Sequence, residues 1–552
     1  MHPSAQRTPF VGRQAEYALL CAALEHARGG AGTLVEITGE PGTGKSRLVE
    51  ELRATTPEDD PWWFTIAAEP SQRRAPLQLA VDLLLAMLGP SASSPDGAVL
   101  AGALRQILPG EDCSALAQAL AGYLRPAGPE ETMEPALRRR LIAHTLQRVI
   151  EALARRRPIA LVLDNLHDAD TSSLALLAEI LPGLAEAPVL LVAIAEPQCI
   201  PVWGPDAALT RLVLSGLPLV EAASLIESLA GAPVEADTAG FLNERTGGNP
   251  LFLETLMGML LREGYLESDN GVLRLPLRRY VLIPASPEEL YRLQIERLGE
   301  NVRLALTPAV VIGESFTLRQ LSELVRTERT WTVPDTLLTG NLDHLLQCNL
   351  IEPQGEAEAY RFRHDLIRVV AAEEAPPLRT SRLHTILGRL LEQEPTPWTA
   401  RRLQRLAFHF GLGDRATKGI EAHARAGEHA LSVQAYPEAE AHYLAGMERL
   451  AEAGTGQERP ALVESLTAGL ARTRAGLQQY EAAEAGFRAA LAAADDPLLR
   501  ATVLDGLAAV LARQWRHQDA LFELSQEADL LRVASGEPAM LATLRLQLRR
   551  IE

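Results

Sequence analysis

The sequence predicts an α/β domain, a parallel sheet with helices on both faces, followed by all-α segments that end in a solenoid of paired helices. Three observations lead there. The apolar runs Ile159–Leu163 and Val189–Ala195 lack polar alternation, as strands covered on both faces require, and helical patterns separate them from each other and from the short strand Leu34–Thr38. Four amphipathic patterns then succeed one another, Ser286–Leu298, Asn301–Val311, Thr317–Val325 and Pro334–Leu346, before two short strands, Leu350–Glu352 and Ala359–Arg363. From Thr399 onward aromatic pairs recur, Tyr436 with Tyr443, Tyr480 with Phe487 and Trp515 with Phe522, each pair seven residues apart. These features divide the chain at 1–215, 216–284, 285–398 and 399–552.

A chain of 552 residues exceeds what one hydrophobic core sustains, and 47% hydrophobic against 22% charged residues leaves ample core for several domains. Acidic residues outnumber basic ones, 71 to 53, which argues against broad nucleic-acid binding driven by charge. Cys21, Cys113, Cys199 and Cys348 form no C-x-x-C pair, so neither a zinc site nor a disulfide framework is expected. They read as small buried hydrophobes in a reducing cytoplasm. No apolar run reaches the length of a membrane span, and the opening MHPSAQRTPF lacks the features of a signal peptide. A cytoplasmic protein without membrane contact is expected.

The strand Leu34–Thr38 runs directly into Gly39, four intervening residues, Gly44, Lys45 and Ser46, the G-x-x-x-x-G-K-[ST] spacing of a phosphate-binding loop. Glycines at 39, 42 and 44 let successive backbone N–H groups converge on one phosphate, and the helix starting near Lys45 turns its positive dipole end toward it. Thr43 and Arg47 complete the binding set. Lys45 would neutralise the β- and γ-phosphates of ATP, or the β-phosphate of ADP, while Ser46 would place its hydroxyl on Mg2+. Ile159–Leu163 delivers Asp164 to the carboxyl edge of the sheet, where ligands of open α/β sheets bind, and Asp164 is the second candidate Mg2+ group. Asn165 follows it. An amide can orient a water but cannot take its proton, so Asn165 makes general-base catalysis at that position doubtful. Asp168 or Asp170 could substitute, but Asp170 with Thr171 reads better as the N-cap of the next helix.

Elsewhere the reading is structural. Gln14–Ala27 is an amphipathic helix and Trp62–Ala67 a second strand, while the stretch Leu77–Arg157 is mostly helical and expected to pack over one face of the sheet. Phe241–Met259 reads as two helices joined through Gly247-Gly248, the second restarting after Asn249 with Pro250 in its first turn. The four helical patterns and two strands after Ala285 describe a winged helix. His364, just past the second strand, is a cap or core group on its own terms. Small residues accompany the aromatic pairs at fixed offsets: Gly427, Ala471 and Gly506 nine before, Ala441, Ala485 and Ala520 five after, Gly446, Ala490 and Ser525 ten after. They let two helices approach closely, as in tetratricopeptide (TPR) repeats, and the 44- and 35-residue spacings fit if a polar loop near Glu452–Pro460 lengthens the first.

Taken in order, FVGR at Phe10–Arg13, the phosphate loop, LVLDNLHDAD, GGNP, RFRHDL and the helical repeats resemble the signal-transduction ATPases with numerous domains, the STAND branch of the AAA+ superfamily. The resemblance covers nearly the whole chain. It implies a P-loop NTPase domain, an all-α lid, a winged helix and TPR-like repeats. It places Val11, Gly12 and Arg13 beside the adenine and ribose, Gly248 and Pro250 against the base, and His364 on the β-phosphate of ADP in a closed state. It also implies an ATP-dependent homo-oligomer and an inducer or protein partner on the repeats, with the winged helix folding onto the nucleotide rather than onto DNA. Two departures stand out. Asn165 replaces the second acid of the family's strand motif, and Glu196 stands where relatives carry a polar or basic sensor residue. Both point to ATP binding with slow or partner-completed hydrolysis. Relatives often add a helix-turn-helix domain, which is not recognised before the final LRRIE, so output is expected through a partner or a further segment. A remodelling ATPase and a nucleotide-stabilised TPR scaffold are the competing readings.

Overall fold

The computed structural model describes residues 10–533 apart from 58–59, 94–95, 126–132, 199–202, 204–208, 277–282, 329–334, 356–357, 395–398, 455–459 and 494–495. Cys199, Pro334, the first nine residues, the closing LRRIE and much of the 452–460 loop therefore lie outside the described residues. The chain forms two compact units: Met1–Glu69 with Gln147–Ala169 and Ala178–Leu383, and Pro70–Leu146 with Asp170–Leu177 and His384–Glu552.

The first unit is organised by five strands, β1 (Thr33–Gly39), β2 (Trp62–Ala67), β3 (Ile159–Asp164), β4 (Val189–Ala195) and β5 (Leu209–Leu214), in the spatial order β2-β3-β4-β1-β5. Every neighbouring pair is parallel. Parallel strands need crossovers that cover the sheet, which is why β1, β3 and β4 are almost wholly buried and why β3 and β4 read as apolar runs, β1 being broken at Glu36. The helices Gln14–Arg28 and Lys45–Thr55 pack Leu20, Leu24, Leu48 and Leu52 against Val35, Ile37, Val192 and Ile194. The one carboxylate inside β1, Glu36, is buried but paired, accepting from Trp203 Nε1 at 3.0 Å and Arg211 Nε at 3.2 Å. A buried charge is tolerable only with such partners.

Beyond the sheet, the helices Leu219–Ala230, Ala236–Thr246 and Pro250–Arg262 close around Leu225, Leu242, Phe252 and Leu256, with a hairpin, β6 (Glu267–Asp269) and β7 (Val272–Arg274), turning through Asn270-Gly271. The helices Pro287–Glu296, Glu300–Ile312, Leu318–Glu328 and Asp335–Gln347 follow, then β9 (Ile351–Pro353) and β10 (Ala359–Phe362). A strand not anticipated from sequence, β8 (Ser315–Thr317), pairs with the other side of β10, so the small sheet has three strands, β8-β10-β9, all antiparallel.

The second unit is helical, and it corrects one expectation. The stretch after β2 groups with the C-terminal helices, and only its end, from Gln147, groups with the sheet. Tyr123, in the helix Ser114–Leu124, donates to Pro76 O at 2.7 Å and lies 5.4 Å from the ring of His429. Arg138 Nη1 donates to Ser432 O at 3.0 Å. The physical reason is apolar excess: Gln78–Leu88 buries Leu79, Val81, Leu83, Leu84 and Met87, more faces than one contact with a sheet would cover. Asp170 fixes the junction, accepting from Ser173 N at 2.7 Å as a helix cap and from Leu77 N at 2.8 Å at the start of Gln78–Leu88. The cap reading of Asp170 therefore holds.

From Ala400 the helices Ala400–Leu412, Ala416–Leu431, Tyr436–Ala453, Pro460–Gly476, Tyr480–Ala493, Pro497–Arg513 and His517–Val533 pack each on the next, the arrangement of a solenoid. Small residues sit under the aromatics. A Cβ on Gly427 would fall 2.7 Å from the Tyr443 ring, and one on Gly506 2.5 Å from the Phe487 ring. The third pair behaves differently: Trp515 is 84% and Phe522 63% exposed. The earlier rings are covered by the helix that follows them, and among the described residues no helix follows His517–Val533.

Candidate functional site

The site lies at the carboxyl edge of the parallel sheet, where β1 ends in the glycine loop. Gly42 (φ 81°) and Gly44 (φ 92°) both take left-handed backbone, which strains any side chain bearing a Cβ, and the helix Lys45–Thr55 begins directly after. Lys45 Nζ is held by Gly39 O at 2.7 Å and Glu40 O at 3.1 Å. Burial pushes the Lys45 ammonium below the usual lysine range, and the carboxylates of Glu196, Asp164 and Glu40 oppose that drop. Ser46 Oγ donates to Asp164 Oδ2 at 2.7 Å, while Asp164 Oδ1 accepts from Asn165 N at 2.8 Å. Hydroxyl and carboxylate oxygens set side by side are a donor set that suits a hard divalent cation. Asn165 itself takes left-handed backbone, φ 55°, which turns the chain sharply into the next short helical turn.

The FVGR segment approaches the same loop. Arg13 is buried, donates from Nη2 to Ser215 O and, at 3.4 Å, to Thr43 O, and pairs with Glu16 at 3.1 Å. Gly12 (φ 73°) packs against Glu221, and Val11 lies partly buried against the core of the helices after β5. Thr43 Oγ1 donates to Glu40 O at 2.8 Å, closing the loop on itself. Arg47 points along its own helix, 3.5 Å from both Glu50 and Glu51. Gly248 (φ 69°) leaves no room for a Cβ, which would fall 2.3 Å from Leu217 O, and Pro250 opens the helix Pro250–Arg262.

His364 caps the helix Asp365–Glu373, its Nδ1 accepting from Leu366 N at 3.2 Å. Burial pushes it below the usual histidine range, Asp365 opposes the shift, and the Lys45 ammonium adds to it. His364 thus stands within electrostatic reach of the phosphate loop. Its neighbour Arg363 pairs with Glu254 on Pro250–Arg262.

Sequence reasoning passed over Asn249. Its Oδ1 caps the helix by accepting from Phe252 N at 3.2 Å, and its Nδ2 donates to Pro41 O at 2.8 Å. Leu251 N adds a bond to Gly42 O at 3.2 Å. An Asn before Pro reads only as a cap, because the cap consumes one end of the amide and the sequence does not say where the other end goes.

Comparison with known proteins fits this geometry. Residues 9–192 match the family model described as the AAA ATPase domain. This stretch is an AAA ATPase domain. The AAA domain thus contains the phosphate loop, Asp164, Asn165 and the first four strands of the sheet up to Val192 in β4. An uncharacterized protein of Rhizobium meliloti (strain 1021) is 27% identical over 376 residues, which cover 65% of this chain and 35% of that protein. The chain spans about a third of the length of the curated relative it matches. Among solved structures, a STAND protein with a tetratricopeptide repeat sensor from Pyrococcus horikoshii aligns over 98% of this chain and 80% of its own, at 14% identity and a TM-score of 0.42. The Aeropyrum pernix ORC1 protein, solved in complex with DNA, aligns over 70% of this chain and 97% of its own, at 17% identity and a TM-score of 0.29. Cys21, Cys113 and Cys348 are free thiols, and among the described residues no helix is long and apolar enough to cross a membrane.

Proposed function

We propose that this chain is an ATP-binding signalling switch of the STAND type, closed with ADP, opened by ATP with Mg2+, and slow to hydrolyse. The observation that supports it best is the hydrogen-bonded path from the loop to its surroundings: Asn249 Nδ2 on Pro41 O and Leu251 N on Gly42 O. Through them, any rearrangement of the loop around a phosphate is felt by the helix Pro250–Arg262, and through the Glu254–Arg363 pair by the segment bearing His364. Lys45 and the amides of 42–46 would bind the phosphates, and Ser46 with Asp164 would hold Mg2+, whose charge would offset that of the phosphates when bound. Val11, Arg13, Gly248 and Pro250 border the nucleoside. Output, whether transcription or another signal, passes through an inducer or protein partner on the helical repeats, and ATP promotes homo-oligomer formation.

The deciding experiment measures mass by size exclusion with light scattering in ADP, in a non-hydrolysable ATP analogue with Mg2+, and without nucleotide. A larger species with the analogue alone is the expected result, and one unchanging mass in all three overturns the switch. The path itself predicts that Asn249→Ala weakens ADP binding about tenfold, the loss of one or two hydrogen bonds. Asn249→Asp keeps the cap acceptor but sets a carboxylate against Pro41 O, so it will do no better than alanine. Wild-type affinity in Asn249→Asp, by fluorescent-nucleotide titration, would show the Pro41 bond to be irrelevant.

A further inference from the structure

We infer that Glu196 is the general base for hydrolysis at this site, supplying the carboxylate that Asn165 lacks. The inference rests on the ATP-binding reading above and names the group that receives the proton.

The placement comes from the strand order. β4 lies between β1 and β3, so its carboxyl end is flanked on one side by the phosphate loop and on the other by Asp164. Ala195, its last residue, is opposite Thr38, and Leu163 is opposite Ala193. Glu196 is the next residue, level with Gly39, whose carbonyl holds Lys45 Nζ at 2.7 Å. Neighbouring strands lie about 4.8 Å apart, which puts a glutamate at this position within one side chain's reach of the space above Lys45.

The carboxylates of the strand motif are committed elsewhere, and Glu40 stands on the exposed rim of the loop. Both oxygens of Asp164 are engaged, by Ser46 and by the backbone of Asn165. Asp168 is 4% exposed and Asp170 is tied to two helix starts. Glu196 keeps 29% of its side chain open, and His167 Nε2 stands 3.6 Å from its Oε1, with Asp168 Oδ2 at 3.7 Å on the other side of that nitrogen. Both separations exceed a hydrogen bond, so the Glu196 carboxylate is left for a water.

In the step itself, the water oxygen forms a bond to the γ-phosphorus as the bond from that phosphorus to the β–γ bridging oxygen breaks. Glu196 takes the water proton. The bridging oxygen keeps the electron pair and departs as a terminal oxygen of ADP. Inorganic phosphate carries the new oxygen, and Glu196 later returns its proton to solvent.

The test uses the full chain with Glu196→Gln, measuring single-turnover hydrolysis of ATP with Mg2+ beside equilibrium affinities for ADP and ATPγS. The variant is expected to lose on the order of 100-fold or more in rate while ADP affinity stays within about threefold. ATPγS is expected to bind more tightly by about threefold or more, because a negative charge has left the neighbourhood of the terminal phosphate. A variant that turns over within about threefold of the wild type overturns the assignment. A wild type that binds ATP and never cleaves it also overturns the assignment, and leaves the switch standing. A wild type that binds no nucleotide overturns both.

Discussion

Lys45→Ala will bind ATP at least about 100-fold more weakly than the wild type, a loss of about 2.7 kcal/mol, and its stability without nucleotide will fall by no more than about 2 kcal/mol. The two halves of that statement have separate causes. Lys45 Nζ sits on Gly39 O at 2.7 Å and Glu40 O at 3.1 Å, so in the empty loop it neutralises two carbonyl dipoles that otherwise face an arriving phosphate. Alanine removes the attraction and uncovers that repulsion, and a charge-assisted hydrogen bond is about twice as strong as a neutral one. The folded chain gives up only two bonds at a partly open site, worth about 1 kcal/mol each. Calorimetric titration with ATP and Mg2+, paired with a thermal melt of the same sample, checks both halves. An affinity within about threefold of the wild type would remove the loop from the binding site. Asp164→Ala discriminates further: it frees Ser46 Oγ, and its deficit should vanish when binding is measured without Mg2+.

What was legible in the sequence follows from how each element is stabilised. β1, β3 and β4 are covered on both faces, so burial wrote β3 and β4 as apolar runs and β1 as one broken at Glu36, and their ends delivered Lys45, Asp164 and Glu196 to one edge. β5 was not legible, because it leaves Arg211 and Val213 exposed and buries only Leu212 and Leu214 fully, without the β-favouring aromatics that marked the other edge strand, β2. β8 is three residues long, too short for any period to register. The hairpin of β6 and β7 did carry a signal, Asn270-Gly271, which places two left-handed residues in its turn. The partner of the helices after β2 was beyond reach. Tyr123 meets His429 across some three hundred residues of sequence, and amphipathicity states that a face is buried, never against what. Asn249 and the histidines of the helical unit share this limit. Asn249 reads as a cap and each histidine as one polar residue in a helix, and only the packed structure gives their remaining contacts.

Those histidines set the second large effect: the helical unit will unfold cooperatively between about pH 6 and pH 4.5. Five imidazoles are buried in it. His384 and His409 meet through their Nδ1 atoms at 2.9 Å, and His423 and His442 through theirs at 3.1 Å. His442 Nε2 faces Arg74 O at 3.0 Å and Gln404 Oε1 at 2.9 Å, so that nitrogen carries the proton, and its Nδ1 must accept from His423. His429 is 1% exposed, and neither of its nitrogens has a partner. Burial pulls His384, His423 and His429 down to about 4 and His442 to about 3, while His409 falls well below its usual value. Arg74 and Arg449 beside His423, Arg138 beside His429 and Arg405 beside His409 push the same way.

An unfolded histidine titrates near 6.5, so below that pH the unfolded chain binds protons that the folded chain refuses, and stability falls as pH falls. From pH 6.5 to 5 each group forfeits about 2 kcal/mol, about 10 kcal/mol for five, which is comparable to the whole stability of an ordinary domain. Asp170 acts in the opposite sense. Burial, with Glu438 nearby, raises it to about 7, so it costs stability while ionised and releases that cost as pH drops. Over the same acid range that relief is at most about 2 kcal/mol, too little to offset five imidazoles. Hydrogen exchange followed across pH by mass spectrometry should therefore show residues 400–533 losing protection together before the parallel sheet does. His429→Phe, which fits beside the Tyr123 ring and deletes a titrating group with two unpartnered nitrogens, should move the midpoint to lower pH. Protection that persists in these helices at pH 4 would mean that their imidazoles take up protons without unfolding.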